Sequence, residues 1–236
     1  MNGEALGWSW LGRVPYGDGL ALQQKLAAER ERGEGRDTLL LLEHDRIYTA
    51  GRRTAPEEIL WNQHERTARG IELIKTDRGG KVTYHGPGQL VGYPIVDIRG
   101  REIGVRAWVE LIERAIIDVL EPLGIPGQIE CNEPGVWLGK AKIAAIGIHV
   151  SRGVSRHGFA LNVAPNLGDY KGIVACGLHG RTVTSVADQL GDAPDVRTMG
   201  ECVARSMAAR LNLGEEEIPA SELGAGAGVS VLGGVN

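Results

Sequence analysis

Hydrophobic residues recur with helical spacing along one long stretch in the middle of the chain. Across residues 105–123 the apolar side chains follow one another at three- and four-residue intervals, which predicts a helix with one buried face. Gly124 comes directly after this stretch and is suited to a C-terminal cap. Further helices are predicted at residues 18–32, with Asp18 as the N-cap, and at residues 184–190 and 195–213.

Continuous and alternating apolar runs predict strands on both sides of this helix. Thr38–Glu43 reads TLLLLE, a short apolar run typical of a buried strand, whereas residues 44–70 are polar and predict an irregular segment. The other predicted strands are residues 71–76, 81–84, 90–97, 128–131, 135–138, 142–150 and 156–163. This order of elements favours one α+β or α/β domain over residues 1–213, and the glycine-rich residues 214–236 predict a flexible tail.

Composition and charge narrow the function classes. Glycine supplies 35 of the 236 residues, about twice its usual share, without the every-third-residue register of collagen. The net charge of −4 argues against a nucleic-acid partner. No run approaches the roughly 20 apolar residues that cross a membrane, and the N-terminal stretch lacks the pattern of a signal peptide. Three scattered cysteines suit a reducing cytoplasm, so we expect a cytoplasmic protein.

The first glycine-rich segment, residues 78–94, reads RGGKVTYHGPGQLVGYP. Glycines without side chains let a ligand lie directly on the backbone, although a plain hairpin with a surface histidine explains the pattern equally well. The segment contains neither a phosphate-binding P-loop motif nor the dinucleotide motif GxGxxG. Nucleotide binding is therefore not indicated.

Two later segments supply a lysine and a cysteine. Lys142 opens the apolar strand KIAAIGIHV, and Cys176 lies between an apolar stretch and Gly177. A cysteine on such a turn can attack a substrate, and a nearby ammonium would lower its pKa; alternatively, Lys142 is a surface residue and Cys176 a buried small side chain. The spacing does not rank the histidines that could pair with the cysteine, which are His85, His157 and His179. It also completes no zinc site.

With these segments in view, the chain resembles the lipoyl(octanoyl) transferase family. The match rests on EHDRIYTAGRR, RGGKVTYHGPGQLVGYP, GVWLGKAKIAAIG with HGFALNV, and ACGLHGRTVTSV, which together extend over most of residues 38–190. The resemblance implies a biotin/lipoate protein ligase-like fold, a central mixed sheet flanked by helices. It also implies that Cys176 accepts the acyl group, that Lys142 pairs with it, and that neither metal nor cofactor is needed. The acyl-binding residues it implies are Arg78, Gly79, Gly80, Lys81, Val82, Thr83, Tyr84, His85, Ala145, Ile146, Gly147, Gly158, Phe159 and Ala160.

The same resemblance implies a reaction and its partners. The donor would be octanoyl-acyl carrier protein, and the acceptors lipoyl domains of 2-oxoacid dehydrogenases and the glycine cleavage H protein. The chain departs from the family at Ala175, where proline is usual, and at His179-Gly180-Arg181, where a more acidic sequence is expected. Candidates for docking the acidic partners are Arg46, Arg52, Arg53, Arg152 and Arg156. The alternatives are an ATP-dependent lipoate or biotin ligase and a non-catalytic protein that binds acyl groups or lipoyl domains.

Overall fold

The computed structural model describes residues 5–131, 133–174 and 180–224. Over these ranges twelve strands form, numbered in chain order. They are β1 Ala5–Arg13, β2 Thr38–Glu43, β3 Ile47–Ala50, β4 Glu72–Lys75, β5 Val82–His85, β6 Gln89–Ile95, β7 Gln128–Ile129, β8 Gly135–Leu138, β9 Ala141–Ser151, β10 Val154–Asn162, β11 Thr182–Val183 and β12 Gly214–Glu217.

Helices of the described residues connect these strands. They are α1 Tyr16–Glu31, α2 Gln63–Ala68, α3 Val105–Leu120, α4 Val186–Leu190 and α5 Val196–Arg210, with short 3₁₀ turns at Pro56–Glu58, Glu121–Leu123, Leu167–Gly172 and Ala220–Leu223. The predicted central helix is confirmed as α3, whose buried face includes Trp108, Ile112 and Ile116. Gly124 follows it in the left-handed conformation, as its position suggested.

Most strands form one mixed sheet in the order β12-β1-β2-β6-β10-β9-β8-β7, with β11 added to β9. The strands from β2 to β7 along this order are antiparallel neighbours, while β1 is parallel to both β2 and β12, and β11 is parallel to β9. A smaller sheet has the order β4-β3-β5. This is the predicted mixed α+β fold with a central sheet.

Both faces of the large sheet are covered, and β2 shows why its sequence is continuously apolar. Leu39 and Leu41 pack in the core with α3 and α5, whereas Leu40 and Leu42 pack in the core with α1. Successive side chains of a strand point to opposite faces, so a strand covered on both faces needs apolar residues at every position. Helices packed on both faces of the sheet thus hold strands β9 and β10 in place.

Three segments near the start of the domain differ from the sequence prediction. β1 was not predicted; its pairing with β2 and β12 joins segments far apart in sequence. α1 begins at Tyr16 after Pro15, so Asp18 lies in the first turn rather than at the cap. The predicted irregular stretch 44–70 contains β3 and α2; α2 buries none of its residues and begins instead with the capping pair Asn62 and Glu65.

The glycine-rich end starts with regular structure. Gly214–Glu217 form the edge strand β12, where the sequence analysis placed the beginning of the tail. The side chains of β12 are exposed, and its glutamates form ion pairs with Arg36, Arg197 and Arg205. Because such a strand is held by its backbone and by charge pairs, no apolar pattern marks it in the sequence. Residues 225–236 lie outside the described part.

None of the helices in the described part of the chain is long and apolar enough to cross a bilayer.

Candidate functional site

A cavity of about 430 Å³ lies where the loop before β5 crosses strands β9 and β10. Most of the acyl-binding residues implied by the family resemblance line it. These are Arg78, Gly79, Gly80, Lys81, Thr83, His85, Ala145, Ile146, Gly147, Gly158, Phe159 and Ala160, and Lys142 lines it as well. Three segments that are separated in sequence therefore meet around one space.

Two of the implied acyl-binding residues lie elsewhere. Val82 and Tyr84 alternate with Thr83 and His85 along β5, so their side chains point to the opposite face. There they pack with Tyr48 in the core of the small sheet. Within the segment 78–85, only their neighbours contribute side chains to the cavity wall.

Several cavity residues have no signal in the local sequence. Tyr16 comes from α1, Tyr93 from β6 and Val109 from α3, and each is brought to the cavity by tertiary packing. The remaining lining residues that the family stretches did not assign to acyl binding are Arg53, Glu133, Pro134, Ile148 and His157. Of these, Arg53 is one of the predicted docking candidates, and His157 is one of the histidines that could pair with the cysteine.

Glycines allow the loop to lie directly against the sheet. The amide of Gly79 donates to the carbonyl of Ile148 at 2.8 Å, and a Cβ at Gly147 would lie 2.9 Å from the carbonyl oxygen of Gly79. A Cβ at Gly158 would lie only 2.2 Å from the carbonyl oxygen of Gly92. Side chains at these positions would force backbone segments apart, so the cavity depends on glycine here.

Arg78 is a buried cation whose hydrogen bonds stabilise the glycine loop before β5. Its Nη2 donates to the carbonyl of Thr49 at 2.5 Å, its Nε to the hydroxyl of Thr49 at 3.2 Å, and its Nη1 to the carbonyl of Gly79 at 3.0 Å. The amides of Arg52 and Arg53 bind the carbonyls of Arg78 and Gly80, both at 3.1 Å. The arginine therefore joins the small sheet to the glycine loop.

Lys81 contributes in a different way, through an ion pair with Glu58. The carbonyl of Glu58 accepts a hydrogen bond from the amide of Val174 at 2.8 Å, and Ile59 forms a bridge with Ile173. The chain is thus anchored beside the cavity immediately before residue 175. Residues 175–179 lie outside the described part, and with them Ala175, Cys176 and His179.

Lys142 also lines the cavity and is only 6 % exposed. Its Nζ donates to the carbonyl of Pro134 at 3.0 Å and lies 4.5 Å from the ring centroid of Trp137. Thr182 and Val183 pair with Ala141 and Lys142, and the amide of Thr184 donates to the Lys142 carbonyl at 3.0 Å. The chain that follows the cysteine segment therefore runs alongside the lysine.

The histidines of the cavity are held neutral. Nε2 of His157 lies 2.8 Å from Oδ1 of Asp77; burial lowers the pKa of His157 to about 4, although the Asp77 carboxylate opposes this effect. Burial raises the pKa of Asp77, but hydrogen bonds from His157 and Arg156 outweigh it and hold that pKa at about 2. Burial, with the nearby His44 and Arg78, lowers the pKa of His85 well below its usual range.

These features define what the cavity can do. Its walls combine apolar side chains with glycine backbone, which suits an extended acyl chain. The ammonium of Lys142 can stabilise a neighbouring anion or transfer a proton. The neutral His85 already contacts Gln89 at 2.8 Å, and His157 contacts Asp77, so both hold the structure around the cavity.

The arginines considered for docking fall into two groups. Arg46 is bound to the buried Asp169, and Arg156 to Asp77, so these two support the fold. Arg52 and Arg53 are exposed beside the cavity, and Arg152 is exposed in the turn between β9 and β10. Arg52 and Arg53 therefore offer basic surface beside the cavity.

Comparison with known proteins gives consistent results. The family model for the lipoyl protein ligase A/B catalytic domain matches residues 15–208. The chain is 47 % identical to an octanoyltransferase of Alkaliphilus metalliredigens over 194 residues, which cover 82 % of this chain and 89 % of that protein. It is 45 % identical to an octanoyltransferase of Solibacter usitatus over 215 residues, which cover 91 % and 96 %.

Solved structures show the same fold at low sequence identity. A bipartite lipoate protein ligase from Thermoplasma acidophilum has a TM-score of 0.71 at 18 % identity and covers 93 % of this chain and 89 % of its own. A biotin protein ligase from Aquifex aeolicus in complex with biotin and ATP has a TM-score of 0.56 at 14 % identity, covering 87 % and 70 %. At this identity the likeness establishes the architecture alone.

Proposed function

This chain belongs to the lipoyl protein ligase A/B catalytic-domain family, and we propose that it transfers an octanoyl group from acyl carrier protein to a lysine of lipoyl domains. The main support for this proposal is a glycine-lined cavity with a buried lysine in a chain that is 47 % identical to an octanoyltransferase. The acceptors would be lipoyl domains of 2-oxoacid dehydrogenases and the glycine cleavage H protein. The cytoplasmic location stays a prediction from the sequence.

The reaction proceeds in two acyl transfers through Cys176. Its thiolate attacks the thioester carbonyl of the donor, the bond to the carrier's pantetheine sulfur breaks, and the carrier leaves as a thiol after taking up a proton. The lysine amine of the acceptor then attacks the enzyme thioester, the bond to Cys176 breaks, and the amine loses a proton as the amide forms. The first exchange is close to balanced, and the stable amide draws the second forward.

Lys142 acts on the charges that develop in these steps. An ammonium close to the thiol favours the thiolate form and so increases the fraction that can attack at neutral pH. The same group can pass on the proton that the acceptor amine releases. The burial of Lys142 and its contacts with Pro134 and Trp137 support this role because they fix its position.

The acyl chain would lie along the glycine loop and strand β9. Gly79 and Gly80 of the loop and Ala145, Ile146 and Gly147 of the strand all line the cavity that would hold it. Each buried methylene contributes about 0.8 kcal/mol, so chain length offers a basis for selecting the octanoyl group.

An acyl-enzyme assay tests this function. The protein is incubated with octanoyl-acyl carrier protein and its intact mass is measured. We expect an added octanoyl group on the wild type and on Cys202→Ser, which replaces a half-buried cysteine of α5, and no adduct on Cys176→Ser. An active wild-type enzyme that forms no adduct would contradict the covalent mechanism.

A second arm separates the alternatives. With free octanoate and ATP but no carrier, an ATP-dependent ligase modifies a lipoyl domain, whereas the proposed transferase does not. Product in this arm would overturn the transferase function. Binding of the donor without any transfer to a lipoyl domain would instead indicate a non-catalytic protein.

A further inference from the structure

Arg181 contacts three side chains of the segment that carries β7 and β8. Its Nη1 lies 2.6 Å from Oε2 of Glu130, and its Nη2 lies 3.1 Å from Oε2 of Glu133. Its Cζ lies 4.4 Å from the ring centroid of Trp137. A planar guanidinium can pair with carboxylates at its edge while it stacks on an aromatic ring, a combination that an ammonium does not reproduce. Arg181 therefore fixes this segment from outside.

The same segment holds the ammonium of Lys142. Its Nζ donates to the carbonyl of Pro134 and lies over the ring of Trp137. The indole Nε1 of Trp137 donates in turn to the carbonyl of Glu133 at 3.1 Å. Glu133 and Trp137, which both touch Arg181, thus flank the carbonyl that binds Lys142.

The other side of this turn is fixed by α3. The amide of Gly135 donates to Oε1 of the buried Glu113 at 2.8 Å. Gly135 has a φ of +138°, and a Cβ there would lie 3.1 Å from Cε of Lys142 and 2.5 Å from the carbonyl oxygen of Ala144. The turn can accommodate the lysine only in a narrow range of backbone positions, so its two fixed ends determine where the ammonium lies.

We infer that Arg181 is a positioning residue, which sets the place of the Lys142 ammonium through Glu133 and Trp137. Arg181 belongs to the stretch His179-Gly180-Arg181, where this chain departs from the more acidic sequence expected for the family. The role is therefore tied to this chain's own residues. It rests on the proposed function in one respect, that Lys142 assists the reacting thiol.

The test compares the wild type with Arg181→Gln. Alkylation of Cys176 by iodoacetamide is followed by peptide mass spectrometry from about pH 5 to about pH 9, and steady-state transfer from octanoyl-acyl carrier protein is measured in parallel. We expect the alkylation midpoint to rise by about one pH unit. The kcat falls about tenfold, while KM changes less than about twofold, because the loss lies in the chemical steps.

The matched control is Arg197→Gln. Arg197 also forms ion pairs with two glutamates, Glu201 and Glu217, but neither lines the cavity. We expect its alkylation profile and its kcat to match the wild type. A profile for Arg181→Gln that coincides with that of the wild type would overturn the inference.

Two further variants keep the test decisive if Arg181→Gln folds poorly. Glu133→Gln preserves the shape of the side chain but removes one ion pair, and we expect its alkylation midpoint and its kcat to change in the same direction as in Arg181→Gln. Combining Glu133→Gln with Arg181→Lys should cause no additional loss of kcat. A wild type that forms no octanoyl adduct on Cys176 contradicts the proposed function. An active wild type together with unshifted alkylation profiles in these variants contradicts only the role of Arg181.

Discussion

Gly147 of β9 lies so close to Gly79 that a Cβ at position 147 would come within 2.9 Å of the Gly79 carbonyl oxygen. The amide of Gly79 binds the neighbouring carbonyl of Ile148, so the loop and the strand touch through their backbones. The cavity wall at this point consists of peptide groups. The shape of the acyl site therefore depends on two glycines that are remote in sequence.

Substitution of Gly147 by alanine should push the loop at Gly79 away from strand β9 and so distort the cavity. We expect Gly147→Ala to lower kcat/KM for octanoyl-acyl carrier protein at least about tenfold and to destabilise the fold by about 1–3 kcal/mol, as overpacking does. Transfer kinetics and urea unfolding measure the two effects. Gly17→Ala is the control because a Cβ at Gly17 meets no atom within 4 Å, and equal kinetics for both variants would contradict the prediction.

Lys142→Met tests the ammonium itself. Methionine has a similar length and remains compatible with the Trp137 ring, but it cannot donate to Pro134 or stabilise an anion. We expect kcat to fall at least about 100-fold, the usual contribution of proton transfer by a positioned side chain. Lys140→Met, at an exposed position in the turn before β9, should retain wild-type kinetics. A Lys142→Met enzyme with near-normal kcat would exclude the lysine from the chemistry.

The basic surface beside the cavity should act in carrier binding. Residues 46–81 contain eight basic and five acidic residues, whereas the whole chain contains 26 and 30. We expect Arg52→Glu to lower kcat/KM for octanoyl-acyl carrier protein about three- to tenfold at low salt, because charges at the rim of an interface mainly change association rates. Transfer from octanoyl-pantetheine, which lacks the acidic carrier, should stay unchanged.

Arg152→Glu provides the comparison for this surface. Arg152 is 80 % exposed in its side chain and lies in the β9–β10 turn, on a segment that is separate from Arg52. If the carrier docks beside the cavity mouth, this variant keeps wild-type kinetics with both donors. Equal losses for both variants would show a response to net charge, and equal losses of Arg52→Glu with both donors would contradict docking.

The sequence predicts those parts of the fold whose burial is periodic. The α3 face and the continuous run of β2 are buried in the manner that their apolar spacing indicates. β12 is different, because an exposed glutamate-rich edge strand depends on its pairing with β1 and on ion pairs. Long-range backbone pairing leaves no periodic signal in the segment itself.

The cavity residues divide in the same way into those that the sequence predicts and those that depend on tertiary packing. Its glycine loop and strand β9 can be found in the sequence because glycines and apolar alternation mark them. Tyr16 and Tyr93 cannot, since each is an ordinary residue of a helix or strand until tertiary packing brings it to the cavity. The link from Arg181 to Lys142 also passes through a carbonyl and a ring, which only the folded structure brings together.

His44 is a fully buried histidine that makes both of its hydrogen bonds in the neutral form. Nδ1 lies 2.6 Å from the carbonyl of Val14, which can only accept, so the proton is on Nδ1. Nε2 lies 2.7 Å from the hydroxyl of Tyr93 and accepts from it. Burial lowers the pKa of His44 to about 4, although the bond to Val14 opposes this effect.

Stability should therefore fall in mildly acidic solution. Above a pH of about 6.5, His44 is neutral in both the folded and the unfolded state. Between pH about 6.5 and pH about 4, His44 is protonated in the unfolded chain but stays neutral in the folded protein. This one residue then lowers the free energy of unfolding by up to about 1.4 kcal/mol per pH unit. Urea unfolding at several pH values measures the slope, which should be shallower in His44→Asn and unchanged in His64→Asn, an exposed position in α2. Equal slopes for the wild type and His44→Asn would contradict the buried neutral histidine, whatever the absolute stability of the variant.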